Sequence, residues 1–436
     1  MKKRRVLPFF FLTAVYFVPT AAAAGPLRES IATDYATTLE ALFRHFHQNP
    51  ELSNREFATA RRLATELRAL GYEVTEQVGG TGVVAVLRNG KGPTVLLRAD
   101  MDGLPVVENS GLPYASTARQ IDINGQEQPV MHACGHDVHI TALVGAARQM
   151  ATRPKEWSGT LVLIGQPAEE IGSGARAMLD DGLFERFPKP DYALAFHVSS
   201  LHPAGKIEVR FGIAASSVDS VDIVVHGVGA HGAYPHRGVD PVLVASQIVV
   251  SLQSVVSRTI NPLEPGVITV GAIHGGTKHN IIGDRVDMQV TVRADNLETR
   301  ALLLDSIDRV ADGVARSLGV PSDRLPEVKR SSTETTPPLI NDEQTAQIIK
   351  SRFLEHFGEE YLVERPRQGM GGEDFAYFVT PDSGVKGVYF VVGGTPETEI
   401  DTAPSHHSPL FKIEPEPAVT SGVEAMVVGA MTLMPN

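Results

Sequence analysis

Cys134 is the single cysteine in a chain of 436 residues. It stands in Met131-His132-Ala133-Cys134-Gly135-His136-Asp137-Val138-His139. No intrachain disulfide is open to it. A thiol set among three histidines and an aspartate suits metal ligation or thiolate chemistry better than core packing. Cys134 and His136 are one residue apart, so at a strand end or in a loop their side chains share a face and can meet one ion. Thiolate and imidazole together suit zinc, nickel, cobalt or manganese rather than calcium. Glu169-Glu170 follows the apolar run Leu161 to Ile164 and Gln166-Pro167. Adjacent carboxylates point different ways, so one can bind metal while the other serves as a general base. The plain alternative is a solvated acidic turn. His197 closes Ala193-Leu194-Ala195-Phe196, and His406-His407-Ser408-Pro409 lies in a polar loop. Each is ordinary alone and becomes a ligand candidate if the fold returns it to the same sheet edge. His231 and His236 sit in the glycine-rich loop Gly229 to Pro241, and loops on rigid scaffolds often carry function. Asn280 and Arg293 could grip a carboxylate or an oxyanion, or be structural. Gly79-Gly80-Thr81-Gly82 lacks the Lys-Ser/Thr and the helix of a phosphate loop and reads as a turn. No serine lies in a G-x-S-x-G elbow.

The elements that must position these residues follow from periodicity. Helical spacing marks Tyr35 to Phe46, Glu56 to Leu70, Ile140 to Met150 and Ser173 to Leu179. Short apolar runs mark strands at Val83 to Leu87, Thr94 to Leu97, Leu161 to Ile164 and Ala193 to Phe196. Strands alternating with helices predict a sheet with helices on both faces. The pattern changes after Phe211. Val218 to His226, Val267 to Ile273 and Val286 to Ala294 alternate as half-buried strands. Pro241 to Val256 and Leu297 to Leu318 are long helices, and Val328 opens a last strand. That order, β-α-β-β-α-β, predicts a ferredoxin-like unit. Asp342 to His356, Val388 to Val392 and Glu414 to Leu433 then resume the helix and strand pattern of the first part. The fold class expected is α/β, an α/β/α domain with a mixed sheet interrupted by a smaller α+β domain. The expected divisions are 1–24, 25–215, 216–331 and 332–436.

Lys2-Lys3-Arg4-Arg5, an apolar run from Val6 to Val18 and Ala22-Ala23-Ala24 read as a secretory signal cleaved near Ala24. The mature protein is then expected to be secreted or periplasmic, with no stable membrane anchor. Removing the four basic residues moves the formal charge from −12 to −16. That balance argues against nucleic acid and anionic membrane as partners.

Several motifs occur in a familiar order: Leu97-Arg98-Ala99-Asp100-Met101-Asp102-Gly103-Leu104-Pro105, Met131 to His139, Gln166-Pro167-Ala168-Glu169-Glu170, and Gly229 to Pro241. Gly371-Gly372-Glu373-Asp374-Phe375 and His407-Ser408-Pro409 complete the series. In these the chain resembles the metal-dependent amidohydrolases of the aminoacylase and glutamate-carboxypeptidase group. It is most similar to the branch of hippurate hydrolases, N-acyl-amino-acid hydrolases and auxin–amino-acid conjugate hydrolases. The resemblance implies Cys134, His136, Glu170, His197 and His407 as ligands of two divalent ions (zinc, manganese, nickel or cobalt), with Cys134 bridging. It implies Glu169 as the general base and acid, and His231 as a lid histidine reaching the substrate carbonyl in a partner subunit. Asn280 and Arg293 correspond to lid residues that contact substrate, and Asp100 and Asp102 to supports of the site. The inserted domain corresponds to a lid that also forms a homodimer. The implied substrate is a small N-acyl amino acid or a short peptide. A dipeptidase or carboxypeptidase on the same site is the alternative. A Cys134 nucleophile and a binding protein with a decayed site are further readings. The polar stretch from Ile121 to Gln128 exceeds the usual link of the family and could reshape the rim of the site.

Overall fold

In the computed structural model, residues 25–436 are described, so the signal expected over 1–24 lies outside them. Strands built around near-continuous apolar runs must be covered on both faces. Four such strands, Gly159–Gln166, Thr94–Asp100, Tyr192–Pro203 and Lys386–Thr395, form the middle of a seven-stranded sheet. They run parallel to one another. Glu73–Val78 and Gly82–Asn89 extend the sheet antiparallel at one edge, and Ile207–Val209 closes the other. Alternate residues then divide between two cores. Val95, Leu97, Leu161, Leu163, Leu194 and Phe196 pack against the helices Phe57–Ala69, His136–Thr152, Glu343–Phe357 and Pro415–Leu433. Leu96, Val162, Ile164, Ala193 and Ala195 face the helix Gly174–Asp180 and the turn Asp374–Val379. The α/β/α expectation therefore holds.

The inserted unit is a four-stranded antiparallel sheet ordered Gly266–Gly275, Arg285–Ala294, Val218–His226, Glu327–Thr336. With helices Pro241–Arg258 and Leu297–Ser317 this is the ferredoxin-like order. Its last strand runs on to Thr336, beyond the division at 331 that the sequence suggests. Val221, Ile223 and Val225 face Val244, Ile248, Leu252 and Ile307 in one core. Pro241 takes the first position of its helix, and the Asp240 carboxylate accepts from Val242 N and Leu243 N. That helix has the length and hydropathy of a membrane span, and a third of it is buried inside the protein. The polar stretch after Gln120 forms a hairpin, Arg119–Ile121 with Glu127–Pro129.

Candidate metal centre and active site

Open α/β sheets bind ligands beyond the carboxyl ends of their parallel strands. Asp100 and Gln166 end two of these strands, and His197 lies in the third. The Cys134 segment is neither strand nor extended loop. Gly135 adopts φ +84°, and a Cβ there would lie 2.3 Å from Val198 Cγ1, so only glycine fits the turn. The turn launches the helix at His136, which places Cys134 beneath it and His136 and His139 on its first turn.

Each imidazole is then sorted by what its nitrogens already do. His139 donates from Nδ1 to Asp100 Oδ1 (2.6 Å) and accepts the Val198 amide on Nε2 (2.8 Å), so both positions are spent. His136 donates from Nδ1 to the Asp102 carbonyl (2.8 Å). Its Nε2 is buried without a partner, as is Glu170 Oε1, and the two face each other at 3.8 Å. His197 donates from Nδ1 to the Val198 carbonyl (2.6 Å) and turns Nε2 to within 3.4 Å of Cys134 Sγ. His407 Nε2 lies 3.4 Å from Glu170 Oε2, on a backbone held at φ +64°. Pinning one ring nitrogen while freeing the other is how proteins orient metal-binding histidines.

Ligand atoms on one tetrahedral zinc, with arms of about 2.0–2.3 Å, are separated by roughly 3.3–3.8 Å. The gaps of 3.4 and 3.8 Å fall in that range. A thiol, imidazoles and a carboxylate form a donor set suited to zinc-like divalent ions. Cys134, His136 and Glu170 have donor atoms within 4.8 Å of one another, and so do Cys134, His197 and His406. The residues fit a metal. The structure adds His406, whose Nδ1 sits 3.7 Å from Cys134 Sγ while Nε2 meets the Ser200 amide. Its only trace in the sequence is its place beside His407.

The charges agree with a site built around a cation. Burial pushes the Glu170 carboxyl up to about 7. Burial and the neighbouring Glu170 and Glu169 push the Cys134 thiol up. Burial opposes charge on His136, but Asp100, Asp102 and Glu170 hold its pKa up at about 10. A bound cation reverses these preferences.

Glu169 lines a cavity of about 480 Å³ together with Cys134, Glu170, His197, Arg293 and His407. Burial, then Glu373 and Glu170, raise its pKa well above the usual carboxylate range. Asp102 accepts from the Glu169 amide (3.2 Å) and the Glu170 amide (3.1 Å), so its support of the turn is direct. Behind Glu169 the buried Arg98 guanidinium bonds Gln166, Asp100, Glu373 and Asp374, and Tyr389 also donates to Glu373 (2.7 Å). The sequence shows these residues only as parts of motifs.

Arg293 reaches the cavity from the lid sheet. His231 and Asn280 do not line it. They meet on an exposed ribbon, Ala230–His231 against Ile281–Ile282, where the Gly232 amide donates to the Asn280 carbonyl at 2.9 Å. His236 is exposed in the turn that follows.

This fold and donor set define a metal-dependent amidohydrolase, and comparison with known proteins names its kin. Residues 96–428 match the model of peptidase family M20/M25/M40, and the chain belongs to that family. It is 37% identical to the hippurate hydrolase of Campylobacter jejuni over 79% of this chain and 86% of that one. It is 36% identical to thermostable carboxypeptidase 2 of Saccharolobus solfataricus, over 84% of this chain and 88% of that one. Bacillus subtilis YXEP, a dinuclear metal-binding peptidase of the M20 family, superposes with a TM-score of 0.73 at 28% identity. That match covers 92% of this chain and 98% of that one.

Proposed function

We propose that the protein hydrolyses the amide bond of N-acyl amino acids, releasing a carboxylic acid and an amino acid. The observation that carries the reading is the pairing of two unpartnered buried atoms, His136 Nε2 and Glu170 Oε1, beside a second carboxylate, Glu169, that opens into the cavity. Cys134, His136, Glu170, His197 and His407 would hold two divalent ions, of zinc, manganese, nickel or cobalt. When bound, such ions polarise the amide carbonyl and can bring the pKa of water to about 7. Glu169 takes the proton of the attacking water on its carboxylate and delivers it to the leaving nitrogen. Glu373 and Asp374 line the same cavity and, by their negative charge, favour the protonated form of Glu169, while Arg98 pairs with both. Arg293 receives the substrate carboxylate from the lid side. His231 and Asn280, exposed and outside their own cavity, serve the site of a partner subunit in a homodimer, where His231 donates to the carbonyl oxygen as charge develops there. The relatives named for hippurate and for IAA–amino acid conjugates support an acyl amino acid as substrate. The carboxypeptidase relative keeps a short peptide as the second reading. With residues 1–24 read as an export signal, the site of action is outside the cytoplasm.

Metal analysis with a panel of N-acetyl, N-benzoyl and longer N-acyl amino acids and dipeptides tests this. Glu169→Gln should keep its metal and lose turnover by about 10²–10⁴. Cys134→Ser should lose metal and activity together. Full metal occupancy without activity in that variant would return Cys134 to the role of nucleophile.

A further inference from the structure

Glu56 precedes the helix Phe57–Ala69, at the N-cap position, where a short polar side chain such as Asp ordinarily caps the helix. It does not do so. Glu51 takes that task, accepting from Ala58 N at 2.8 Å and Thr59 N at 2.7 Å. The Glu56 carboxylate turns the other way, into the fold. Its Oε1 accepts from Ala168 N (2.8 Å) and Asn54 N (2.9 Å), and its Oε2 from Thr81 Oγ1 (2.5 Å). It is fully buried, and no cation is among these partners.

Ala168 adopts φ +50°, the left-handed region that a residue with a Cβ enters only under constraint. Glu169 is the next residue. Its amide and that of Glu170 are held by Asp102, so two buried carboxylates hold three successive N–H groups of one turn. The segment bearing Glu56 reinforces this from a second point, since Ser53 Oγ donates to Asp102 Oδ2 at 2.6 Å. Releasing Ala168 to a relaxed conformation would rotate the following peptide. Glu169 would then swing away from the cavity.

We propose that Glu56 is a positioning residue for the reaction: it fixes Ala168 in a strained conformation that aims Glu169 into the cavity. This rests on the reading of Glu169 as the base. A displacement of about 1 Å at a reacting group can cost on the order of 10² in rate. Glu56→Gln can keep every bond, with the amide oxygen on Ala168 N and Asn54 N and the amide nitrogen donating to Thr81 Oγ1. Glu56→Ala removes the acceptor. Glu56→Asp withdraws it by one methylene and carries the test if the alanine variant does not fold.

The experiment measures kcat, KM and metal content of the metal-loaded protein. Glu56→Ala and Glu56→Asp should lose about 30- to 100-fold in kcat with KM within about twofold, and Glu56→Gln should stay within about threefold of wild type. Ala168→Gly relieves the strain, so it should shrink the loss caused by Glu56→Ala in a double-mutant cycle. The proposal is overturned if kcat holds in the alanine and aspartate variants, if kcat and metal content fall in parallel, or if Ala168→Gly adds its effect independently. If Glu169→Gln remains active, the base assignment itself has failed. If it is inactive while the Glu56 variants are normal, only this inference has failed.

Discussion

His136 and His231 stand at opposite extremes of this molecule. His136 is fully buried, with one ring nitrogen pinned to a carbonyl and the other aimed at Glu170. His231 is exposed on a two-stranded ribbon, and its Nδ1 meets the Ala233 amide. The catalytic domain has prepared its histidines in advance, with orientation fixed by the same chain that supplies them. The inserted domain leaves its histidine in solvent. The orientation of His136 is therefore set by folding, whereas His231, under the proposed function, meets substrate only once a second subunit is in place.

Mixing subunits would break this comparison most visibly. His231→Ala and Glu169→Gln homodimers should each be nearly inactive. After subunit exchange at equal amounts, half the molecules would be mixed dimers with one intact site of two, restoring roughly a quarter of wild-type activity. An activity assay after exchange checks this, and no recovery would place His231 in its own subunit's site. A smaller effect separates the two cores. Leu252 is fully buried in the lid, so Leu252→Ala should cost about 2–5 kcal/mol of lid stability. Metal content, set in the other domain, should not change, and calorimetry beside metal analysis reads both. The gentlest probe is pH. Burial works against charge on His47, but its bonds to Asp137 (2.7 Å) and Glu108 (3.1 Å) win and raise its pKa to about 9. A raised histidine stabilises the fold fully below its ordinary value near 6.5, and the benefit is lost as pH climbs through 9. The Tm gap between wild type and His47→Gln should be widest near pH 6 and narrow steadily above it.

The architecture was legible in the sequence because apolar runs and alternating runs obey different periods, and the β-α-β-β-α-β order follows from them. Of the two settings the spacing of Cys134 and His136 allows, a strand end or a loop, the structure has the second: a turn whose left-handed Gly135 starts the helix at His136. Asp102 was readable as a support but its partners were not, since they are two backbone amides and a serine far along the chain, Ser53. Glu56 and Arg98 were hidden for a related reason. Their value lies in bonds to residues far along the chain, at Ala168 and at Glu373. His406 shows the opposite difficulty, where neighbouring histidines look equivalent until the backbone sends them to different atoms.

The strand Lys386–Thr395 lies between Tyr192–Pro203 and Ile207–Val209 in the sheet, but the whole inserted domain, Val218 to Thr336, is encoded before it and after both of them. During synthesis the lid has all its strands long before the larger sheet does. Until residue 395 has emerged, Tyr192–Pro203 is left as an unfinished edge, the sort of surface that invites wrong pairing. His407 arrives later still, in the last stretch before the closing helix. The nascent chain therefore passes through a stage with a finished lid and an open sheet. The candidate ligand His407 and the strand Lys386–Thr395 are thus among the last parts to be made, and a stop before them leaves Tyr192–Pro203 as an exposed edge.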